Sequence, residues 1–79
     1  MDESEITYGV REVIAQVLSL SVDEVSPTAH FYDELAGDSL QKLEAIAFIE
    51  AKFNVQLTNE EAAGETVGDL VRSVVGHAS

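Results

Sequence analysis

Gly37-Asp38-Ser39-Leu40-Gln41-Lys42-Leu43-Glu44-Ala45-Ile46-Ala47-Phe48-Ile49-Glu50-Ala51-Lys52-Phe53 reads as one long helix with a defined start. Leu40, Leu43, Ile46, Ala47 and Phe53 recur at helical spacing, which predicts an amphipathic helix with those residues on its apolar stripe. Asp38 has the chemistry of its N-cap, and Gln41, three residues on, can return a hydrogen bond to the Asp38 N–H in a capping box. Ser39 therefore falls in the first turn, where unpaired backbone N–H groups and the positive end of the helix dipole favour a phosphate on its hydroxyl. The same residues also describe an ordinary helix start rich in small polar groups. Asn54 is placed to close the helix in a left-handed conformation.

Before this segment, Ile6, Val10, Val13, Ile14, Val17 and Leu18 share one face of a helix expected over residues 3–19, with Asp2 and Glu5 as a capping pair. Gly9 inside it costs roughly 1 kcal/mol relative to alanine. A long connection follows over residues 19–37, with Pro27 disfavouring helix at Ser26. Connections of that length need a function or their own anchors, and Val22, Val25, Phe31 and Leu35 are the expected anchors. After the central helix, Thr58 and Glu61 have capping-box spacing, but Gly64 leaves room for only a turn or two. Thr66 caps a last helix, with Asp69 in its first turn and Val67, Leu70, Val71 and Val74 at helical spacing. Residues 76–79 are expected to fray. The result is an all-α, four-helix bundle forming a single domain over 1–79, with a short third helix and strand content near zero.

With 79 residues the core is modest, which leaves little room for a two-lobed substrate cleft. No cysteine is present, so disulfides, thiolate metal sites and a cysteine nucleophile are excluded. Fifteen acidic residues against four basic ones give a net charge of −11, which opposes nucleic acid and anionic lipid and points to a basic protein partner. For any single carboxylate, solvation of a small domain explains the charge equally. A hydrophobic fraction of 46% predicts folding rather than disorder. The acidic start Met1-Asp2-Glu3-Ser4-Glu5 does not resemble a signal peptide, and no membrane span is present, so the expected location is the cytoplasm.

His30 and His77 lack further ligands at metal-binding spacing, and Asp23-Glu24 and Asp33-Glu34 lack the ligand spacing of a calcium loop. No metal site is expected. Gly37-Asp38-Ser39-Leu40 also spells the nucleophile block of the GDSL hydrolases. Only His77 follows as a partner base, however, and the α/β sheet that such a nucleophile requires does not fit.

Residues 31–75 resemble the acyl carrier proteins in ordered detail: Phe31, Asp33-Glu34-Leu35, Ala36-Gly37, Asp38-Ser39-Leu40, Glu44, Phe53 and Thr66-Val67. The first helix and long loop fit the same family. Ala36-Gly37 departs from its more usual Gly-Ala or Gly-Gly order. The resemblance implies a free-standing, non-catalytic carrier, in which a phosphopantetheinyl transferase moves 4′-phosphopantetheine from coenzyme A onto Ser39. The arm's thiol then holds acyl groups as thioesters, and a cysteine-free chain needs such an added thiol. Magnesium is expected only in the transferase complex, where the analogy lets Asp38 contribute.

The resemblance also implies partners with basic docking patches, such as an acyltransferase or ketosynthase, and a monomeric carrier. The implied docking face is the second helix, through Leu40, Glu44, Ala47, Phe48 and Glu50. Phe48 lies off the predicted stripe, exposed for docking or packed on the long loop. Leu43, Ile46, Val67 and Leu70 either line an acyl pocket or are plain core. Gln41, Lys42, Ala51 and Lys52 stand where fatty-acid carriers are often acidic or polar, which favours a polyketide-like pathway over fatty acid synthesis. The alternatives are an aminoacyl or peptidyl carrier of nonribosomal synthesis and an acidic helical adaptor without a cofactor.

Overall fold

Asp2 opens the first helix by accepting a hydrogen bond from the Glu5 N–H at 2.9 Å, and Ser19 closes it in a left-handed conformation, φ 58°. The computed structural model describes residues 2–78. Its elements are α1 (Glu3–Leu18), a 3₁₀ turn (Val22–Glu24), α2 (Ser39–Phe53), α3 (Asn59–Ala62) and α4 (Val67–Ala78). The expected all-α, four-helix architecture with a short third helix is the observed one. Among the described residues the only β pairing is an isolated antiparallel bridge between His30 and Thr66.

Helix α1 is the central element and packs against both α2 and α4, while α3 leans on α4. Its Ile6, Val10, Val13 and Ile14 meet Ala45 and Ile49 of α2 and Val67, Leu70, Val71 and Val74 of α4 in one core. Gly9 has a packing role: a Cβ there would lie 2.6 Å from the Phe53 ring, so its missing side chain lets the end of α2 close onto α1.

The long connection is anchored as well as capped. Val25 and Phe31 are fully buried, Val22 and Leu35 pack partly, and Ala29 is an additional anchor. Arg11 donates to the Val25 and Val22 carbonyls at 2.7 and 2.9 Å, converting an α1 side chain into a brace for the loop. Phe31 N–H bonds the Glu65 carbonyl at 2.8 Å and Val67 N–H bonds the Ala29 carbonyl at 3.0 Å, tying the connection to the start of α4.

Helix α4 runs through Ala78, and His77 Nε2 donates to Glu61 at 2.9 Å; of the tail expected to fray, Ser79 lies outside the described residues. One expectation is corrected. The inward face of α2 is different from the predicted stripe. Leu40 and Leu43 are each 68% exposed and Ala47 is exposed, while Lys42, Ala45 and Ile49 are buried with Ile46 and Phe53 beside them.

Candidate functional site

The site is built where the long connection turns into α2. Asp38 accepts from Gln41 N–H at 2.8 Å, and the Gln41 side chain accepts from Asp38 N–H at 3.0 Å, so the capping box is complete. Ser39 is the first residue of α2 and is exposed. The Gln41 and Lys42 N–H groups are taken by the Asp38 side chain and carbonyl. Those of Ser39 and Leu40 have no protein partner among the described residues, as expected for the first turn of a helix. An exposed hydroxyl beside two unpaired N–H groups at the positive helix end accommodates a phosphodiester. Asp38 stands close by as an opposing charge, which the helix end and solvent must offset.

The approach to Ser39 is held by aromatic packing. A Cβ at Gly37 would fall 2.2 Å from the buried Phe31 ring, so the backbone crosses that ring only because residue 37 is glycine. Gly37 N–H returns to the Phe31 carbonyl at 3.0 Å. Ala36 takes the left-handed conformation, φ 60°, that glycine adopts at less cost, which is the structural result of the Ala-Gly order. Upstream, His30 Nδ1 accepts from the Tyr32 and Asp33 N–H groups at 3.2 and 3.1 Å, and its Nε2 donates to Glu65 at 2.9 Å. Both ring nitrogens are therefore engaged in loop structure. Among the described residues no group of three histidine or acidic side chains is arranged to hold a metal.

Lys42 went unrecognised in the sequence as an inward residue. It is only 6% exposed, donates from Nζ to the Gly64 carbonyl at 2.8 Å, and faces the Phe31 and Tyr32 rings at 5.6 and 5.2 Å. Burial lowers its pKa from the usual lysine range, with Glu65 and Asp69 acting in the opposite sense. The signal was its helical spacing with Ala45, Ile46, Ile49 and Phe53, a second apolar stripe containing one lysine.

The residues read as partner-binding do not all share one surface. Leu40, Leu43, Glu44, Ala47 and Phe48 are exposed on the outer side of α2, Phe48 at 55%. Phe48 thus stands among the exposed apolar side chains and not the buried ones. Glu50 is half-buried, and its carboxylate accepts from Leu57 N–H at 2.8 Å, so it serves the α2–α3 connection instead. The expected acyl pocket also divides. Val67 and Leu70 are fully buried core and Ile46 is partly buried, whereas Leu43 points outward and does not enclose a cavity with them.

Beyond the site, two side-chain pairs, Asp69 with Arg72 and Glu61 with His77, close α3 and α4. Asp69 accepts from the Thr66 and Glu65 N–H groups at 3.1 Å and pairs with Arg72; the Thr66 bond chiefly holds its pKa below the usual carboxylate range. Glu61 is lowered first by its bond from His77 and then by Thr58 N–H.

Comparison with known proteins places this arrangement. The family model described as the phosphopantetheine attachment site matches residues 9–74, more than half of the chain. Among solved structures, an acyl carrier protein from Enterococcus faecalis superposes with a TM-score of 0.78 at 27% identity, over 96% of this chain and 98% of that one. The chain belongs to the acyl carrier protein family and is a bearer of 4′-phosphopantetheine, a carrier and not a catalyst.

Proposed function

We propose that Ser39 is the residue that bears the 4′-phosphopantetheine arm. The matched segment contains five serines, Ser19, Ser21, Ser26, Ser39 and Ser73, and local chemistry separates them. Ser19 sits at the carboxyl end of α1, where the helix dipole disfavours a phosphate. Ser21 bonds to Glu24, Ser26 to Thr28, and the Ser73 hydroxyl donates to the Asp69 carbonyl. Ser39 is the exposed serine at a helix start, and this observation carries the proposal.

When bound, the arm supplies a terminal thiol that holds an acyl group as a thioester. The protein's own contribution is positional. The capping box fixes the first turn, Gly37 on Phe31 fixes the approach, and the free N–H groups stabilise negative charge beside Oγ. One Asp38 carboxylate oxygen accepts from Gln41 N–H, and in the transferase complex its other oxygen would contribute to holding a magnesium ion.

Carriers of this family meet a phosphopantetheinyl transferase and pathway enzymes. We assign their docking to the outer side of α2, where Leu40, Leu43, Ala47 and Phe48 surround Glu44 next to Ser39. Such a surface combines apolar anchors with attraction to basic patches, strengthened by the net charge of −11. Its single outward carboxylate favours a polyketide-like or other specialised pathway over fatty acid synthesis, with a cytoplasmic, monomeric carrier as the working form.

The test is intact mass after incubation with coenzyme A, magnesium and a broad-specificity phosphopantetheinyl transferase. Wild type should gain one phosphopantetheinyl group and Ser39→Ala none; a gain in Ser39→Ala would refute the assignment. Subsequent loading separates acyl from aminoacyl carriers: acceptance of malonyl groups from a malonyltransferase supports polyketide or fatty acid use. Loading only by an ATP-dependent amino-acid-activating enzyme would instead mark an aminoacyl carrier.

A further inference from the structure

Lys42 is the one charged residue that the fold places among the buried ones, within the described residues. Removing an ammonium from water is costly unless its donors and charge are met. Here the Gly64 carbonyl lies 2.8 Å from Nζ, and the Phe31 and Tyr32 rings stand 5.6 and 5.2 Å away. A methionine would fill a similar volume without that cost, so packing alone gives no reason for a cation. What the cation adds is a directed tie among three segments. Lys42 belongs to the first turn of α2, three residues after Ser39. Phe31 and Tyr32 belong to the connection that leads into Ser39, and the Phe31 ring lies directly beneath Gly37. Gly64 belongs to the turn between α3 and α4. A short α3 gives that turn little support of its own, since a four-residue helix is barely more than its cap.

We propose that Lys42 is a positioning residue for the modification of Ser39: its ammonium holds the Phe31–Tyr32 segment and the Gly64 turn against the first turn of α2, so that the transferase meets the hydroxyl in one preset geometry. This rests on the reading that Ser39 bears the arm. Three groups with no contact to Oγ thereby act on it through the backbone. Preorganisation of this kind lowers the cost of association and leaves the reacting hydroxyl itself unaltered.

The experiment compares wild type, Lys42→Met, Tyr32→Leu and Lys42→Cys in the full chain. Initial rates of phosphopantetheine addition are read by intact mass against carrier concentration, beside thermal melting of each variant. Lys42→Met should melt close to wild type, because an apolar side chain replaces a desolvated charge. Its KM should rise about tenfold, the equivalent of one charge-assisted hydrogen bond, with kcat nearly unchanged. Tyr32→Leu removes one ring from the rim of the site and should raise KM about threefold, within the range of a cation–π contact. That variant carries the test should Lys42→Met fail to fold.

The absence of native cysteine permits a direct rescue. Lys42→Cys, aminoethylated under denaturing conditions and refolded, regains an ammonium on a chain of lysine's length and should recover the wild-type KM. An unchanged KM in both Lys42→Met and Tyr32→Leu would overturn the proposal, as would a raised KM that aminoethylation does not lower. Ser39→Ala runs in parallel: modification of that variant would refute the Ser39 reading, whereas its silence with an unaltered KM in the others would refute only the role of Lys42.

Discussion

In α4 the apolar residues Val67, Leu70, Val71 and Val74 lie on one face and all are buried, whereas α2 carries apolar side chains on two opposite faces. Ala45 and Ile49 point inward with Ile46 and Phe53, while Leu40, Leu43, Ala47 and Phe48 point outward. A helix that only supports a fold needs one stripe. A helix that also meets partners needs a second, and its apolar content then no longer says which side is the interior. On the proposed docking reading the difference between α4 and α2 is one of duty, and substitutions on the two faces of α2 measure it.

The largest effect should come from the inner face. Ile49→Ala removes a fully buried side chain and should lower stability by about 2–5 kcal/mol, like Leu70→Ala in α4, measured by chemical denaturation. Equal tolerance of Ile49→Ala and Leu43→Ala would erase the distinction between the faces. Next comes Gly37→Ala, whose methyl must displace the Phe31 ring; a loss of about 1–3 kcal/mol is expected from overpacking. The same variant should slow modification, because the displaced ring underlies the approach to Ser39.

A smaller effect concerns the start of α4. Asp69 has a lowered pKa in the folded chain, so its contribution is present above the ordinary carboxylate pKa and is lost as pH falls through the folded value. Asp69→Asn should accordingly melt below wild type at pH 7, and the gap should close as the pH drops below the carboxylate range. Thermal melts of the pair between pH 7 and 3 check this, since the relief of the chain's overall negative repulsion on acidification is common to both. Smallest of all, Leu43→Ala on the outer face should change stability by less than about 0.5 kcal/mol while weakening the transferase's KM.

Much of this was legible in the chain because local chemistry decides it. The caps at Asp2, Asp38, Thr58 and Thr66 and the left-handed Asn54 are set by side chains within a few residues, and the structure has each of them. The single stripe of α4 could be read in the same way. The inward face of α2 could not, because two leucines outweigh an alanine and a lysine in any count of hydrophobicity, and only the packing of α1 against α2 settles the choice. Lys42 was hidden for the same reason: its partners, Gly64 and the Phe31 and Tyr32 rings, lie far from it in sequence. The tie between His77 and Glu61 near the end of α4 is likewise a contact across sixteen positions, beyond any local signal.

The outer face of α2 as the surface that partners meet beside Ser39 is the central claim, and methyl-resolved NMR tests it most directly. Chain labelled at leucine and isoleucine methyls would be titrated with an inactive phosphopantetheinyl transferase. The Leu40 and Leu43 methyls should shift or broaden first, with the Ile49 and Leu70 methyls unmoved until saturation. Perturbation centred on Ile6 and Leu18 of α1, with Leu40 and Leu43 unchanged, would contradict the account.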